Sequence, residues 1–259
     1  MCLILLAHRA HPKYPLIIAA NRDEFYARPT APAAFWDDAQ HVLAGRDLSA
    51  GGTWLGITRT GRWAALTNYR DPPAPRPGRP SRGALVSNFL RGDAGPGEYL
   101  DGAAADADEY DGFNLLVGDL HGAHYFGNRM DGDRAPRPLE PGFYGLSNHL
   151  LDTPWPKVAR GTRVLRELIE SGPPTPEALL EILYDTEIAP AESLPETGVG
   201  AEWERALSAS FIATPEYGTR ASTALIVDDG LNATFVERSF APGPVVDGEV
   251  RFGFPIAAG

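Results

Sequence analysis

An uninterrupted apolar run, Cys2-Leu3-Ile4-Leu5-Leu6-Ala7, ends at His8, Arg9 and His11. Short runs of this kind, bounded by polar or turn residues, predict buried strands. In the first third of the chain they place strands over residues 2–7, 16–20, 53–58 and 63–68, with a short one over 42–44. A turn, His11-Pro12-Lys13-Tyr14-Pro15, separates the first two, and Arg59-Thr60-Gly61 between 53–58 and 63–68 is a hairpin signal. Residues 71–80 are rich in Pro and Arg, carry no apolar period, and predict a loop. From Ser81 the period turns helical: Ser81 can cap a helix whose apolar residues Leu85, Phe89 and Leu90 fall at i, i+4 and i+5. An Ala-rich acidic segment near 98–110 predicts a second helix. Strands over 113–120 and 123–128 pair about His121-Gly122. Residues 156–169 predict a helix with Pro156 in its first turn and Val158, Thr162, Leu165, Leu168 and Ile169 on one face. A helix over 176–184, a loop over 188–200 and strands over 211–214, 222–228 and 234–240 complete the pattern.

Strand blocks and helix blocks are segregated rather than alternating one for one, which predicts an α+β layered domain over a doubly wound parallel sheet. No repeat or composition break marks a second unit, so residues 1–259 are expected to form one domain. With 43% hydrophobic and 22% charged residues the chain has the composition of a globular protein. A net charge of −11 argues against nucleic acid as a partner, because phosphates are neutralised by Lys and Arg. The single cysteine rules out an intramolecular disulfide and points to a reducing compartment. The first apolar run is far shorter than the ~20 residues of a membrane span and lacks the flanks of a signal peptide. A cytoplasmic location is expected.

That one cysteine stands directly behind Met1. Removal of Met1 would leave Cys2 with a thiol and a free α-amine, a nucleophile carrying its own base, since the amine titrates near ~7.7–8.0 and a thiol near ~8.5. Cys2 reads equally well as a small hydrophobe of a first strand. Asn21-Arg22-Asp23-Glu24 closes the strand over 16–20, either as a solvated loop or as its continuation. If the strand continues, its period of two sends Asn21 and Asp23 to one face and Arg22 and Glu24 to the other, so one pair alone faces Cys2. An Asp beside the α-amine would hold it, and an Arg beside the thiol would favour thiolate. Asn68 and Asn148 offer neutral N–H donors suited to an oxyanion hole, though Asn is also a turn former. Trp54, Tyr69 and Trp155 fit either a partly apolar ligand or core packing. Glycines 45, 51, 52 and 56 are not closed by the Gly-Lys-Ser/Thr of a phosphate loop, and no Gly-x-Ser-x-Gly elbow is present. His8 and His11, like His121 and His124, are three apart, a spacing a strand sends to opposite faces. No metal or cofactor is expected.

The chain resembles the family named for its Asn-Arg-Asp-Glu motif, the relatives of Transport and Golgi organization protein 2. The resemblance runs nearly end to end, through Met1-Cys2-Leu3-Ile4, Ala19-Ala20-Asn21-Arg22-Asp23-Glu24-Phe25, Gly45-Arg46-Asp47, Gly51-Gly52-Thr53-Trp54-Leu55-Gly56, Thr67-Asn68-Tyr69-Arg70, Ser81-Arg82-Gly83, Leu146-Ser147-Asn148 and Thr219-Arg220-Ala221-Ser222-Thr223. It implies a four-layer α/β/β/α sandwich of the N-terminal-nucleophile hydrolase type. Choloylglycine hydrolases and penicillin acyltransferases resemble this family more distantly, and in them a Cys exposed by processing attacks an amide. Carried over residue by residue, their roles imply Cys2 as nucleophile and base, Asp23 as partner of the α-amine, Asn68 and Asn148 as oxyanion or substrate donors, and Arg220 as electrostatic support. Asn21, Trp54 and Tyr69 are then expected beside the substrate. Choloylglycine hydrolases place an Arg three residues before the Asp; here that residue is Ala20, and the available cation is Arg22, expected to reach Cys2 only where the strand ends or bulges. The implied function is an amidohydrolase or acyltransferase acting on a small amide or acyl substrate. The alternative is a binding or trafficking protein that handles haem or acyl lipid, with a haem ligand from Cys2 or one of the six His residues.

Overall fold

Alternate residues of the first two strands enter two different cores, and that division organises the molecule. In the computed structural model, which describes residues 2–72, 78–132 and 134–257, β1 (Cys2–His11) and β2 (Tyr14–Phe25) pair antiparallel, with Cys2 opposite Arg22 and Ile4 opposite Ala20. Ile4, Leu6, Leu16, Ile18 and Ala20 face one core, whereas Leu3, Leu5, Ala7, Ile17 and Ala19 face the other. A strand buried on both sides needs apolar residues at every position, which is why these segments read as unbroken runs.

The chain continues through β3 (Thr30–Trp36), β4 (Ala39–Asp47), β5 (Leu55–Thr58), β6 (Trp63–Asn68), helices α1 (Gly83–Arg91) and α2 (Pro96–Ala105), β7 (Phe113–Gly118), β8 (Ala123–Gly127), β9 (Arg137–Pro138) and β10 (Gly142–Leu146). Helices α3 (Pro156–Ser171), α4 (Pro176–Leu183) and α5 (Ala201–Ala206) precede β11 (Tyr217–Val227), β12 (Asn232–Ala241) and β13 (Val245–Pro255). A six-stranded sheet runs β10-β1-β2-β11-β12-β13 and a seven-stranded sheet β3-β4-β5-β6-β7-β8-β9, with every pairing antiparallel. The two inner faces share a core that includes Leu6, Ile18, Ile57, Trp63 and Leu225. Outside the first sheet, Val158, Leu165 and Ile169 of α3 and Leu179, Leu180 and Leu183 of α4 cover Leu3, Leu5 and Ile17. Outside the second, Leu85, Val86, Phe89 and Leu90 of α1 and Leu100 of α2 cover Val42, Ala64 and Val117. The layers are therefore α/β/β/α, the arrangement the family resemblance implies and one that agrees with the α+β class expected from the segregated pattern. No helix among the described residues is long and apolar enough to cross a membrane.

Several local expectations are corrected. β3, β9, β10 and β13 form where no strand is expected, and each is an edge strand of its sheet. Edge strands are half-exposed, so their apolar signal is thin; β3 also carries Pro32, whose missing N–H an edge tolerates. The expected strand over 211–214 is reduced to a bridge between Ala213 and Gly218, and β11 begins at Tyr217 instead. The second helical segment breaks after Ala105, and only a short 3-10 turn follows over 107–109. α5 lies where no helix is expected. Ser81 does not cap α1 with its side chain; its carbonyl accepts from Ala84 N at 3.0 Å and the helix begins at Gly83. Gly83 is tied instead to Gly52 and Thr53: Thr53 N donates to the Gly83 carbonyl at 3.2 Å, and a Cβ on Gly52 would stand 2.5 Å from the Gly83 carbonyl carbon. Only glycine permits that backbone approach. The expectations about Met1 and about residues 73–77 of the Pro/Arg-rich loop lie outside the described residues.

One carboxyl in the inter-sheet layer gives the fold a pH signature. Glu237 of β12 is 2% exposed, accepts from Ala33 N at 2.7 Å and lies 3.4 Å from Thr223 Oγ1. Burial pushes its pKa up to about 7. The native state thus keeps a proton that the unfolded chain releases above ~4.5, so Glu237 costs stability progressively as pH rises from ~4.5 to about 7, on the order of 3 kcal/mol in all. Glu237→Gln keeps the acceptor for Ala33 and adds a donor for Thr223. By urea denaturation it should be more stable than wild type by about 2–3 kcal/mol at pH 8 and by less than about 1 kcal/mol at pH 5. An equal difference at both pH values would contradict this.

Candidate active site

Cys2 is the first residue of β1, and beside it opens a cavity of about 420 Å³ walled by Arg22, Asp23, Trp54, Asn68 and Arg82. The pairing of β1 with β2 sets Arg22 directly opposite Cys2. Cross-strand partners share a face, so the guanidinium and the thiol lie on the same side of the sheet. β2 reaches this pairing without a bulge, contrary to the expectation that Arg22 needs one. The irregularity falls in β11, between Thr219 and Ala221. Ala20 lies opposite Ile4, one pair deeper on the same face, where an arginine would enter the apolar inter-sheet core. Arg22 is held by its surroundings: its guanidinium sits 4.3 Å from the Trp54 ring centroid, donates to Thr30 Oγ1 at 3.1 Å and approaches Glu24 at 4.0 Å.

Asp23 comes one residue later, past the Cys2–Arg22 pair, and so reaches the cavity from the other face of the sheet. Thr219 Oγ1 donates to its Oδ1 at 2.7 Å, and its main-chain carbonyl accepts from the Tyr217 hydroxyl at 3.0 Å. Burial raises the Asp23 pKa, against the pull of the Lys157 ammonium, the Thr219 hydrogen bond and Arg22. Burial likewise pushes the Cys2 thiol up, reinforced by the Asp23 charge and opposed by the Asp23 main-chain N–H and the Arg22 guanidinium. As it stands the thiol is held neutral, and a base is needed to ionise it.

The other expected site residues divide between the cavity and its supports. Asn68, at the end of β6, and Trp54 are on the cavity wall. Asn148 is fully buried and off that wall: its Nδ2 donates to the Asn68 carbonyl at 2.9 Å, while Ser147 Oγ donates to the Cys2 carbonyl at 3.0 Å and lies 3.2 Å from Asn148 Oδ1. The Ser147-Asn148 pair thus ties Cys2 to the Asn68 corner. Asn21 faces the helical layer, its Nδ2 donating to the carbonyls of Leu183 and Ser210 at 2.9 and 2.8 Å and its Oδ1 accepting from Ser222 at 2.6 Å. It clamps β2 to the end of α4 rather than facing the cavity. Tyr69 stacks near His149, centroids 5.0 Å apart, also off the wall. Arg220 donates to the carbonyls of Phe25, Tyr26 and Arg28 at 3.0–3.1 Å and borders a separate cavity of about 230 Å³ beyond Trp54.

Two residues not anticipated from sequence belong here. Arg82 is on the cavity wall, donates to the Gly112 carbonyl at 3.0 Å and forms no ion pair among the described residues; nearby Arg28 and Arg79 are already matched by Asp47 at 2.7 Å and Asp111 at 3.7 Å. Lys157, in the first turn of α3, is 1% exposed. Its signal was present in the sequence: Lys157, Gly161, Leu165 and Ile169 are four apart on the buried stripe of α3, so the lysine occupies a core position. Among the described residues, no cluster of three His, Cys, Asp or Glu side chains could hold a metal ion.

Comparison with known proteins agrees with this architecture. Residues 1–242 match the family described as Transport and Golgi organisation 2. The Transport and Golgi organization protein 2 homolog of Bos taurus is 41% identical, over 92% of this chain and 93% of that protein. The Homo sapiens homolog is 38% identical, over 97% of each. Among solved structures, a mutant conjugated bile acid hydrolase from Clostridium perfringens is similar with a TM-score of 0.57 at 8% identity, over 97% of this chain and 92% of that one. Another variant of that enzyme gives 0.56 at 8% identity, over 100% and 98%. At such identity the likeness is one of fold, the N-terminal-nucleophile hydrolase sandwich.

Proposed function

The chain belongs to the Transport and Golgi organisation 2 family, and on that premise we propose that it is a cysteine amidohydrolase or acyltransferase whose nucleophile is Cys2. The observation that carries this reading is the placement of Cys2 at the start of β1, on a cavity that Arg22 and Asp23 also wall. Once Cys2 is the terminal residue, its α-amine takes the thiol proton, with Asp23 as the amine's counter-charge. The thiolate attacks the substrate carbonyl, and Asn68 donates to the oxygen on which negative charge develops. Collapse breaks the C–N bond, the amine leaves with the proton held by the α-ammonium, and the acyl group remains as a thioester on Sγ. Water, or an acceptor amine, then releases the acyl group and regenerates the thiol. Arg82, a guanidinium on the cavity wall that makes no close ion pair among the described residues, favours a substrate that carries an anionic group.

Intact-mass measurement after exposure to the mono-p-nitrophenyl ester of glutaric acid tests the proposal. The expected result is a mature chain lacking Met1 that gains one glutaryl group, mapped to Cys2 by fragmentation. The neutral methyl glutarate analogue should react about 10-fold more slowly, as the loss of one charge-assisted hydrogen bond implies. Retention of Met1, or the lack of both a Cys2 adduct and a p-nitrophenolate release that Cys2→Ala abolishes, would overturn the reading and leave a binding role of the kind its relatives' transport names suggest.

A further inference from the structure

Behind the nucleophile, on the side of the sheet covered by helices, lies a buried ammonium to which the reaction above gives no part. Lys157 is 1% exposed, and its Nζ has no hydrogen-bond partner among the described residues. One turn further along α3, Gly161 packs closely on Leu5 of β1, which sets the stripe against the outer face of the sheet, the face that Asn21 and, two residues on, Asp23 also take. An isolated buried ammonium costs several kcal/mol, and a leucine or methionine would fill a stripe position without that cost. What compensates Lys157 is the Asp23 carboxylate: Asp23 is its favourable electrostatic partner, with a smaller favourable contribution from Cys2, while Arg70 opposes.

Resting on the catalytic reading of Cys2, we propose that Lys157 is a positioning residue that shares the Asp23 carboxylate with the α-amine of Cys2, keeping Asp23 ionised whenever that amine gives up its proton. The charged and titratable groups around this point come from five places. They are Cys2 of β1, Arg22 and Asp23 of β2, Arg70 after β6, Glu204 of α5 and Tyr217 of β11. Arg70 is matched by Glu204 in a buried ion pair, and the Tyr217 phenol stays protonated because burial raises its pKa well above the ordinary value. Arg22 also acts on Asp23 but is permanently charged and lies 4.0 Å from Glu24, so the exchange is between two titrating cations about one carboxylate. While the amine is neutral, the Lys157 charge still acts on Asp23, and the buried anion keeps a nearby cation. Without Lys157 the amine would be the chief counter-charge of Asp23 and would hold its proton more tightly. The base would then become available only at higher pH. Burial and Arg70 bring the Lys157 pKa down to about 8, which leaves it an ammonium at neutral pH.

The pH profile of Cys2 acylation by mono-p-nitrophenyl glutarate, read with wild type, Lys157→Met and Lys157→Gln, is the test. In both variants the acid limb should move up by about one pH unit, with the plateau rate at high pH within about threefold of wild type. A uniform loss of rate at every pH, without movement of the limb, would show a structural role only and overturn the assignment. A second reading needs no variant: 15N-lysine NMR of the wild-type protein should show one lysine titrating near pH 8 and charged at pH 6, and a Lys157 neutral throughout pH 5–7 would also overturn it. Absence of both a Cys2 adduct and Cys2-dependent p-nitrophenolate release in wild type removes the catalytic reading and this inference together. A normal adduct with an unmoved acid limb removes the Lys157 assignment alone.

Discussion

Replacing Asp23 by Asn is expected to slow acylation of Cys2 by about 10³-fold or more, because the variant keeps the shape of the site and loses its charge. Asn retains an oxygen that can accept from Thr219 Oγ1, now at 2.7 Å from Asp23, and it keeps the main-chain carbonyl that receives the Tyr217 hydroxyl. What disappears is the negative charge that, on the proposed mechanism, orients the α-amine and stabilises it as an ammonium during attack. The loss of a buried carboxylate that serves a catalytic base in this way costs on the order of 10⁴-fold in the serine-protease precedent. Stability should fall as well, since buried Lys157 would lose its favourable electrostatic partner. The double variant Asp23→Asn/Lys157→Met separates the two effects. It should recover most of the unfolding free energy in urea and none of the acylation rate. A single variant that acylates within tenfold of wild type would remove Asp23 from the mechanism.

Glu204→Gln should destabilise the protein by about 3–5 kcal/mol through a different buried charge. Glu204 and Arg70 form a close ion pair with side chains 5% and 2% exposed. The carboxylate also accepts from the Thr197 N–H at 2.7 Å and its hydroxyl at 2.5 Å, which fastens the segment leading into α5. On the other partner, Arg70 N donates to the Asn148 carbonyl at 2.7 Å and the guanidinium lies 4.5 Å from the Trp155 ring centroid. With Glu204 neutral, Arg70 keeps its charge in an apolar setting, opposed by Lys157 and left with Asp23 as its remaining favourable carboxylate. The pair Arg70→Met/Glu204→Leu, which removes both charges, should return to within about 2 kcal/mol of wild type. Chemical denaturation of the two singles and the double closes the cycle. A Glu204→Gln loss under about 1 kcal/mol would mean that water reaches this pair. Because Arg70 follows Asn68 by two residues, the Glu204→Gln variant should also loosen the Asn68 corner of the cavity.

The parts of the fold legible in the sequence are those buried on two sides. β1, β2, β6 and β7 are interior strands of their sheets, and each reads as a continuous apolar run. α1 and α3 were equally plain, since one stripe of each meets a sheet. β3, β9, β10 and β13 are not legible in the sequence because an edge strand is defined by what pairs with it, and hydrogen bonds to a neighbour leave no mark on side-chain polarity. In the site, Cys2, Arg22, Asp23 and Asn68 could be nominated from residue type and place in a run. Their roles could not be divided, since the division depends on which face each takes. Asn21, adjacent to Arg22 and chemically akin to Asn68, is turned by the strand period into a clamp on α4 and Ser210.

Sequence by itself determined the layered α+β architecture, the family and the identity of the one thiol, because burial is encoded residue by residue in hydrophobic period and a nucleophile by its side chain. Tertiary structure alone decided which charges meet that thiol. Cys2, Asp23, Arg82 and Lys157 come from β1, β2, the start of α1 and the first turn of α3, and Lys157 was hidden as one more member of a helical stripe. Their convergence depends on strand register and helix placement, and the Coulomb energies that give them chemistry depend on separations in space, which chain order does not carry.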